Sequence, residues 1–357
     1  LVRLHVANVD PRVLGARFVG PFMTAHQDRA CRAPQVTTSD VQSGTRRKVG
    51  HDAGIPTTNT LTILPARPGT VTPRFRKHPA LRFAIGFPRP PIREERMDSL
   101  LVERADGVVT CTLNRPEKKN AVTPAMWVAM TDLFEAVAVN PDDRVLVITG
   151  AGDGFCSGAD LADSGTAEGA TGAGGALAGM RIVGRAALAL HDLAKPTIAA
   201  VNGVAAGAGC NLALGCDLVV ASDQARFSEI FAKRGLAVDF GGSWLLPRRV
   251  GMHRAKELVL LAEVIDAVEA ERIGLVNRIV AHDLLGETVR ELAGRLANMA
   301  PLALAASKRL LDQSFAVSMA EAIEAENMAQ ALMATTRDTA EAILAFFERR
   351  SPRFTGS

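Results

Sequence analysis

The 357-residue chain has no tyrosine and only 4% aromatic residues. A basic segment without interleaved aromatics offers bases nothing to stack on, which argues against a nucleic-acid partner. No apolar run reaches the roughly 18 residues that cross a bilayer, so no membrane partner is expected. The five cysteines, Cys31, Cys111, Cys156, Cys210 and Cys216, are odd in number and lack metal-ligand spacing. Three of them fall in apolar strand or turn contexts. They read as buried thiols of a reducing compartment, and the expectation is a cytoplasmic protein without a metal site. Seven histidines are scattered through the chain. His191 and His253 lie on helical patterns, and none stands beside a nucleophile motif, so all are read as surface or core residues.

Against these absences stands a chain that is 48% hydrophobic and 22% charged, enough for one or two globular domains. The net charge of +3 hides an asymmetry. Residues 1–96 carry 16 Lys+Arg against 6 Asp+Glu, about +10; the remainder has 41 − 16 = 25 basic and 38 − 6 = 32 acidic residues, about −7. Residues 1–96 also hold 11 of the 18 prolines and show no sustained period of 2 or 3.6, the pattern of a disordered segment. They are too long for a targeting peptide and have no amphipathic start. Residue 1 is Leu, and Met97 directly precedes the first ordered-looking strand. The favoured expectation is upstream sequence from a mis-assigned start, with the native N-terminus at or just after Met97.

From Leu100 the character changes. Leu100–Glu103 and Val108–Leu113 read as strands around a turn at Ala105-Asp106-Gly107. Thr123-Pro124 is a helix start, and Met126, Met130, Leu133, Phe134 and Val137 follow at helical spacing. Val145–Thr149 is a buried strand that runs into a first turn, Phe155-Cys156-Ser157-Gly158-Ala159-Asp160. Residues 162–180 are Gly/Ala-rich and read as a mobile loop, either a substrate lid or a plain surface connection. Thr197–Val201 is the next strand; it ends in the glycine-rich turn Gly203–Gly209, and an apolar helix and a strand at Leu218–Ala221 follow. Strand, glycine turn, helix presents main-chain N–H groups where a developing negative charge can be held. One such turn could serve packing alone; two suggest a two-donor oxyanion hole. After Gly241-Gly242-Ser243 the patterns are helical through Arg254–Leu261, Ala267–Ile273, Leu284–Met299, Leu302–Leu311 and Met319–Glu348. The whole is an α/β chain with parallel pairing and a helical C-terminal third.

These pieces form a pattern. Asn114-Arg115-Pro116, Asn120-Ala121, Phe155 to Leu161, Lys195 to Gly203, Cys216-Asp217, Gly241-Gly242-Ser243, Gly274 to Asn277 and Phe347 to Phe354 occur in an order that resembles the enoyl-CoA hydratase/isomerase family, the crotonase superfamily, over residues 97–357. The resemblance implies a crotonase-like spiral of ββα units over 97–290 and a C-terminal helical trimerisation region over 291–357. It implies an acyl-CoA substrate, an enolate held at the thioester oxygen, a homotrimer or a hexamer, and no cofactor beyond the CoA of the substrate itself. By position the oxyanion donors are the N–H groups of Ala159 and Ala208. Ala at 208, where the family usually has Gly, requires a backbone conformation that a residue with a Cβ tolerates. Lys118, Ala121, Ser157, Asp160 and Leu161 fall where members line the CoA and acyl path; Asp160 fits equally well as a helix cap.

The chain departs from the hydratases at their two glutamates, which fall on Asn211 and Phe231. An amide has no useful basicity and a phenyl ring no proton to exchange, so two-carboxylate hydration lacks both its groups. Glu229 stands two residues from the second position. A carboxylate does occur at Asp239, flanked by Val238 and Phe240, in the loop where members resembling this pattern carry a catalytic Asp. One base suffices for a 1,3-proton shift, and an apolar setting would raise its pKa to suit. The expectation is therefore double-bond isomerisation by Asp239. Hydration, other chemistry on the same enolate (hydrolysis, C–C cleavage) and a non-catalytic acyl-CoA-binding protein are the alternatives; Asp239 also fits a structural role, bonding the N–H groups of the Gly-Gly loop.

Overall fold

A computed structural model describes residues 98–162 and 172–357. The reading of 1–96 and most of the Gly/Ala-rich loop lie outside the described residues.

Strands β1 (Leu100–Ala105) and β2 (Val108–Leu113) form an antiparallel hairpin across Asp106-Gly107, both at positive φ, 51° and 77°. Such a two-residue turn matches strand twist. Helix α1 (Pro124–Val139) starts as the sequence indicates: Thr123 Oγ1 accepts the Met126 N–H at 3.2 Å, and Pro124 occupies the first position. Its buried stripe is Met126, Trp127, Met130, Phe134 and Val137, with Leu133 half-buried beside it.

Three strand-strand-helix units then follow. They are β3 (Val145–Gly150), β4 (Gly154–Cys156) and α2 (Ala173–His191); β5 (Thr197–Val201), β6 (Val204–Ala206) and α3 (Ala208–Leu214); and β7 (Leu218–Ser222), β8 (Arg226–Ser228) and α4 (Gly242–Val250). After α5 (Met252–Leu261), β9 (Ile265–Asp266), α6 (Ala267–Arg272) and β10 (Arg278–Val280), the chain is helical: α7 (Leu285–Ala297), α8 (Pro301–Gln313), α9 (Met319–Met333) and α10 (Arg337–Glu348). The first strand of each unit enters a six-stranded sheet of order β1-β2-β3-β5-β7-β10, parallel from β2 onward. The second enters a smaller sheet, β4-β6-β8-β9. The result is the expected α/β spiral of ββα units.

Strand β3 shows why its sequence is a continuous apolar run. Leu146 and Ile148 face the main core with α1 and α2, while Val145 and Val147 face a second core closed by Leu285, Val289 and Ala293 of α7. A parallel strand covered on both faces has no polar side to alternate with.

Four details differ from the sequence expectations. Strand β6 lies inside the stretch read as a glycine turn, and the short strands β9 and β10 lie in stretches left unassigned. The pattern over 319–348 is two helices, because Thr336 caps a new one by accepting the Thr339 N–H at 3.2 Å. Finally, α2, at 19 residues, is long and apolar enough to cross a membrane by length and composition alone. Here its Val183, Ala186 and Leu190 are buried in the main core, against α1.

Candidate active site

The two glycine turns meet. Residues 157–160 run beside 119–122: Ser157 N–H donates to Lys119 O (2.9 Å), Val122 N–H to Gly158 O (2.8 Å) and Asp160 N–H to Val122 O (3.0 Å). In this parallel pairing the bonds flank Ala159, so its own N–H points away from Val122. Ala208 opens α3, where the first N–H groups have no partner within the helix. The positive φ needed to enter that helix falls on Gly207 (54°) and not on Ala208, which answers the sequence concern about a Cβ there. Gly158 (φ 100°) brings the turns into contact. A Cβ on it would stand 2.9 Å from Ala206 O and 3.6 Å from Ala208 N. Two main-chain N–H groups from successive units of the spiral thus share one small region. Asn202 braces the approach, its amide donating to Gly150 O and Gly152 O (both 2.9 Å).

The residues read as lining the CoA and acyl path collect along one edge of this region. Ala121 is buried, Ser157 half-buried, and Lys118 and Leu161 exposed. Ser157 Oγ donates to Lys118 O at 3.1 Å. Asp160 is 8% exposed and pairs with Arg115 (Nη2 to Oδ2, 2.8 Å); its Oδ1 accepts the Ala162 N–H at 3.1 Å. The carboxyl therefore has local partners, but it caps no described helix, since α2 begins at Ala173 with Gly172 before it; Arg115, given no role from sequence, joins it to Ala121 O (2.6 Å).

Asp239 approaches from the other side. Its loop is clamped to α3, one turn beyond Ala208: Asn211 Nδ2 donates to Asp239 O at 3.0 Å, and Gly242 N–H to the same oxygen at 2.9 Å. The clamp is close enough that a Cβ on Gly242 would meet the Asn211 amide at 2.3 Å. Phe240 takes a left-handed φ of 48° and packs its ring 5.0 Å from Trp127 of α1. A bulky residue rarely adopts that conformation, and here it fixes the direction of Asp239. Burial pushes the Asp239 carboxyl up to about 6. Phe231, on a 3-10 turn (Ile230–Arg234), is 5% exposed with its ring against Gly207. It therefore walls the turn before Ala208 with hydrocarbon.

Glu229 is also here. It is 2% exposed, accepts from Asn211 Nδ2 at 3.3 Å, and burial with the nearby Asp239 charge raises it to about 7. Among the described residues, Asp239 Oδ1, Glu229 Oε1 and Asn211 Oδ1 are buried without a hydrogen-bond partner. Orphaned buried oxygens are costly, so three in one cluster call for a partner or a purpose.

Residues 103–357 of the chain match the family model of enoyl-CoA hydratase/isomerase. The chain belongs to the enoyl-CoA hydratase/isomerase family. Relatives include a 1,2-epoxyphenylacetyl-CoA isomerase of Escherichia coli, 36% identical over 73% of this chain and 99% of that one. A 2,3-dehydroadipyl-CoA hydratase of the same organism is 38% identical over 73% and 100%. Among solved structures, a putative enoyl-CoA hydratase from Streptomyces coelicolor superimposes with a TM-score of 0.70 at 38% identity, covering 77% of this chain and 99% of that one. Membership in the enoyl-CoA hydratase/isomerase family makes this an acyl-CoA enzyme; of the relatives named here one is an isomerase and one a hydratase, and further relatives carry hydratase names.

Proposed function

We propose that this enzyme isomerises the double bond of an enoyl-CoA, with Asp239 as the single base. Asp239 removes a proton alpha to the thioester; the N–H groups of Ala159 and Ala208 hold the negative charge that moves onto the thioester oxygen. The same carboxyl, now protonated, returns a proton at the gamma carbon. The double bond moves one place and the base is regenerated. Donors preorganised where charge develops are worth on the order of a hundredfold or more each in rate.

The reading is carried by the carboxyl inventory of the site. Asp239 sits in a loop clamped to the helix that begins at Ala208, with a buried unpartnered oxygen, while the hydratase glutamate positions hold Asn211 and Phe231. A base with a pKa near the working pH transfers protons in both directions. Similarity to a protein named as an isomerase of a CoA thioester agrees with this. Hydration is the second reading, supported by relatives named as hydratases. It would have to use Glu229 to activate water, and Glu229 is 2% exposed.

The CoA and acyl path would run along Lys118, Ala121, Ser157, Asp160 and Leu161. CoA enters as part of the substrate, in a cytoplasmic enzyme. Helices α8 to α10 leave Met319, Met328, Leu332, Phe346 and Phe347 exposed, apolar surface suited to packing on further copies as a homotrimer or a pair of trimers. NMR of the protein with a 3-enoyl-CoA in D2O tests the reaction. Migration of the double bond to C2 with solvent deuterium in the product is the expected result. An unchanged 3-enoyl thioester, or a 3-hydroxyacyl product from 2-enoyl-CoA at ordinary hydratase rates, refutes it.

A further inference from the structure

Glu229 is a buried carboxyl that the isomerisation as written does not use. It follows β8 directly, yet through one amide it reaches the loop of Asp239: Asn211 Nδ2 lies 3.3 Å from Glu229 Oε2 and 3.0 Å from Asp239 O. Resting on the reading of Asp239 as the base, we propose that Glu229 is a positioning residue. Asn211 ties the Glu229 carboxyl to the main chain of Asp239, and the two acids hold one negative charge between them in the working enzyme, on Asp239, with Glu229 neutral.

The surroundings of Glu229 support this. Cys210 and Asn211 face it from α3 and Asp239 from its loop, with the thiol of Cys156 behind Cys210. Apart from Ser228, whose hydroxyl donates to Ala262 O, the remaining wall is apolar: Phe227, Leu246, Leu258, Ile265 and Leu275. No cation faces it among the described residues. Two anions in one partly buried site repel, so their protons leave in two steps. Burial places the first near 6 and the second near 7. Below the second step Asn211 is shared, and its amide secures the Asp239 carbonyl. Above it the Glu229 carboxylate adds a second negative charge to a site in which negative charge develops during the reaction, which opposes turnover.

The experiment is the pH profile of kcat/KM for 3-enoyl-CoA isomerisation by the full chain, for wild type, Glu229→Gln and Asp239→Asn. Wild type is expected to rise through a limb near 6 and fall above about 7, by about tenfold per pH unit as a single proton requires. Glu229→Gln, of the same shape but unable to ionise, keeps the rising limb and loses the falling one. A wild-type profile with no falling limb overturns the proposal. So does a Glu229→Gln profile that falls at the same pH, or one merely lowered by a constant factor, which is what structural support alone would give. If Glu229→Gln does not fold, Glu229→Met takes its place, and the wild-type profile stands as a test without either. Asp239→Asn separates the two layers. Retained turnover there refutes the base itself; lost turnover with an unmoved falling limb in Glu229→Gln leaves the base standing and removes only the role of Glu229.

Discussion

Replacing Asp239 with Asn separates what the carboxyl does for the reaction from what it costs the fold. Burial lifts its pKa from 3.8 to about 6. Two units correspond to about 3 kcal/mol of preference for the protonated form in the native site. Between pH 3.8 and 6 the native chain keeps a proton that the unfolded chain has released, so stability falls as pH rises through that window. Above it the enzyme carries the full cost, about 3 kcal/mol, of keeping an anion in a half-buried site. Asn carries no proton to lose. Thermal unfolding of both proteins across this window should therefore show wild type losing up to about 3 kcal/mol more than the variant as pH rises. Turnover should move the other way, with a loss of about a hundredfold to ten-thousandfold from removing a general base. A variant with substantial remaining isomerase activity would refute the base. Parallel stability curves would refute the argument that burial sets its pKa.

Gly158→Ala places a Cβ 2.9 Å from Ala206 O at a φ of 100°, so the two oxyanion turns must part; kcat should fall on the order of a hundredfold in steady-state assays with little change in circular dichroism. Thr123→Ala removes the cap of α1 and should cost about 1 kcal/mol in denaturant unfolding, with the site intact. Light scattering should find an assembly several times the 37.8 kDa chain mass, and Phe347→Glu should shift it toward smaller species; wild-type protein of single-chain mass would refute packing through α8 to α10.

Those parts of the molecule that depend on neighbours in sequence were legible in it. Thr123-Pro124 announces α1 through capping chemistry, and Val145–Thr149 announces β3 through its unbroken apolar run. The two N–H turns were visible because glycine follows a buried strand twice. Elements too short to show a period were not: β6 has three residues and β9 two. The break at Thr336 was hidden because the helical pattern runs on across it. In the site, Asp239 stood out because the family resemblance points to its loop and its flanks are apolar, whereas the placement of Glu229 could not be read. It depends on Asn211, 18 residues away, and on a 3-10 turn that no period marks. Arg115 was likewise a motif residue without a task until its guanidinium met Asp160.

The donors of the proposed oxyanion hole are main-chain atoms of residues that are already alanine. An alanine scan, the usual way to map a site, would therefore leave both unaltered and score positions 159 and 208 as blank. Even larger replacements there would test the room around the N–H groups and not the groups themselves. In the genetic code these atoms have no address of their own; they are specified at a distance, by Gly158 and Gly207, which shape the turns. The direct probe is chemical: an ester in place of the amide at either alanine deletes one donor and leaves every side chain where it was.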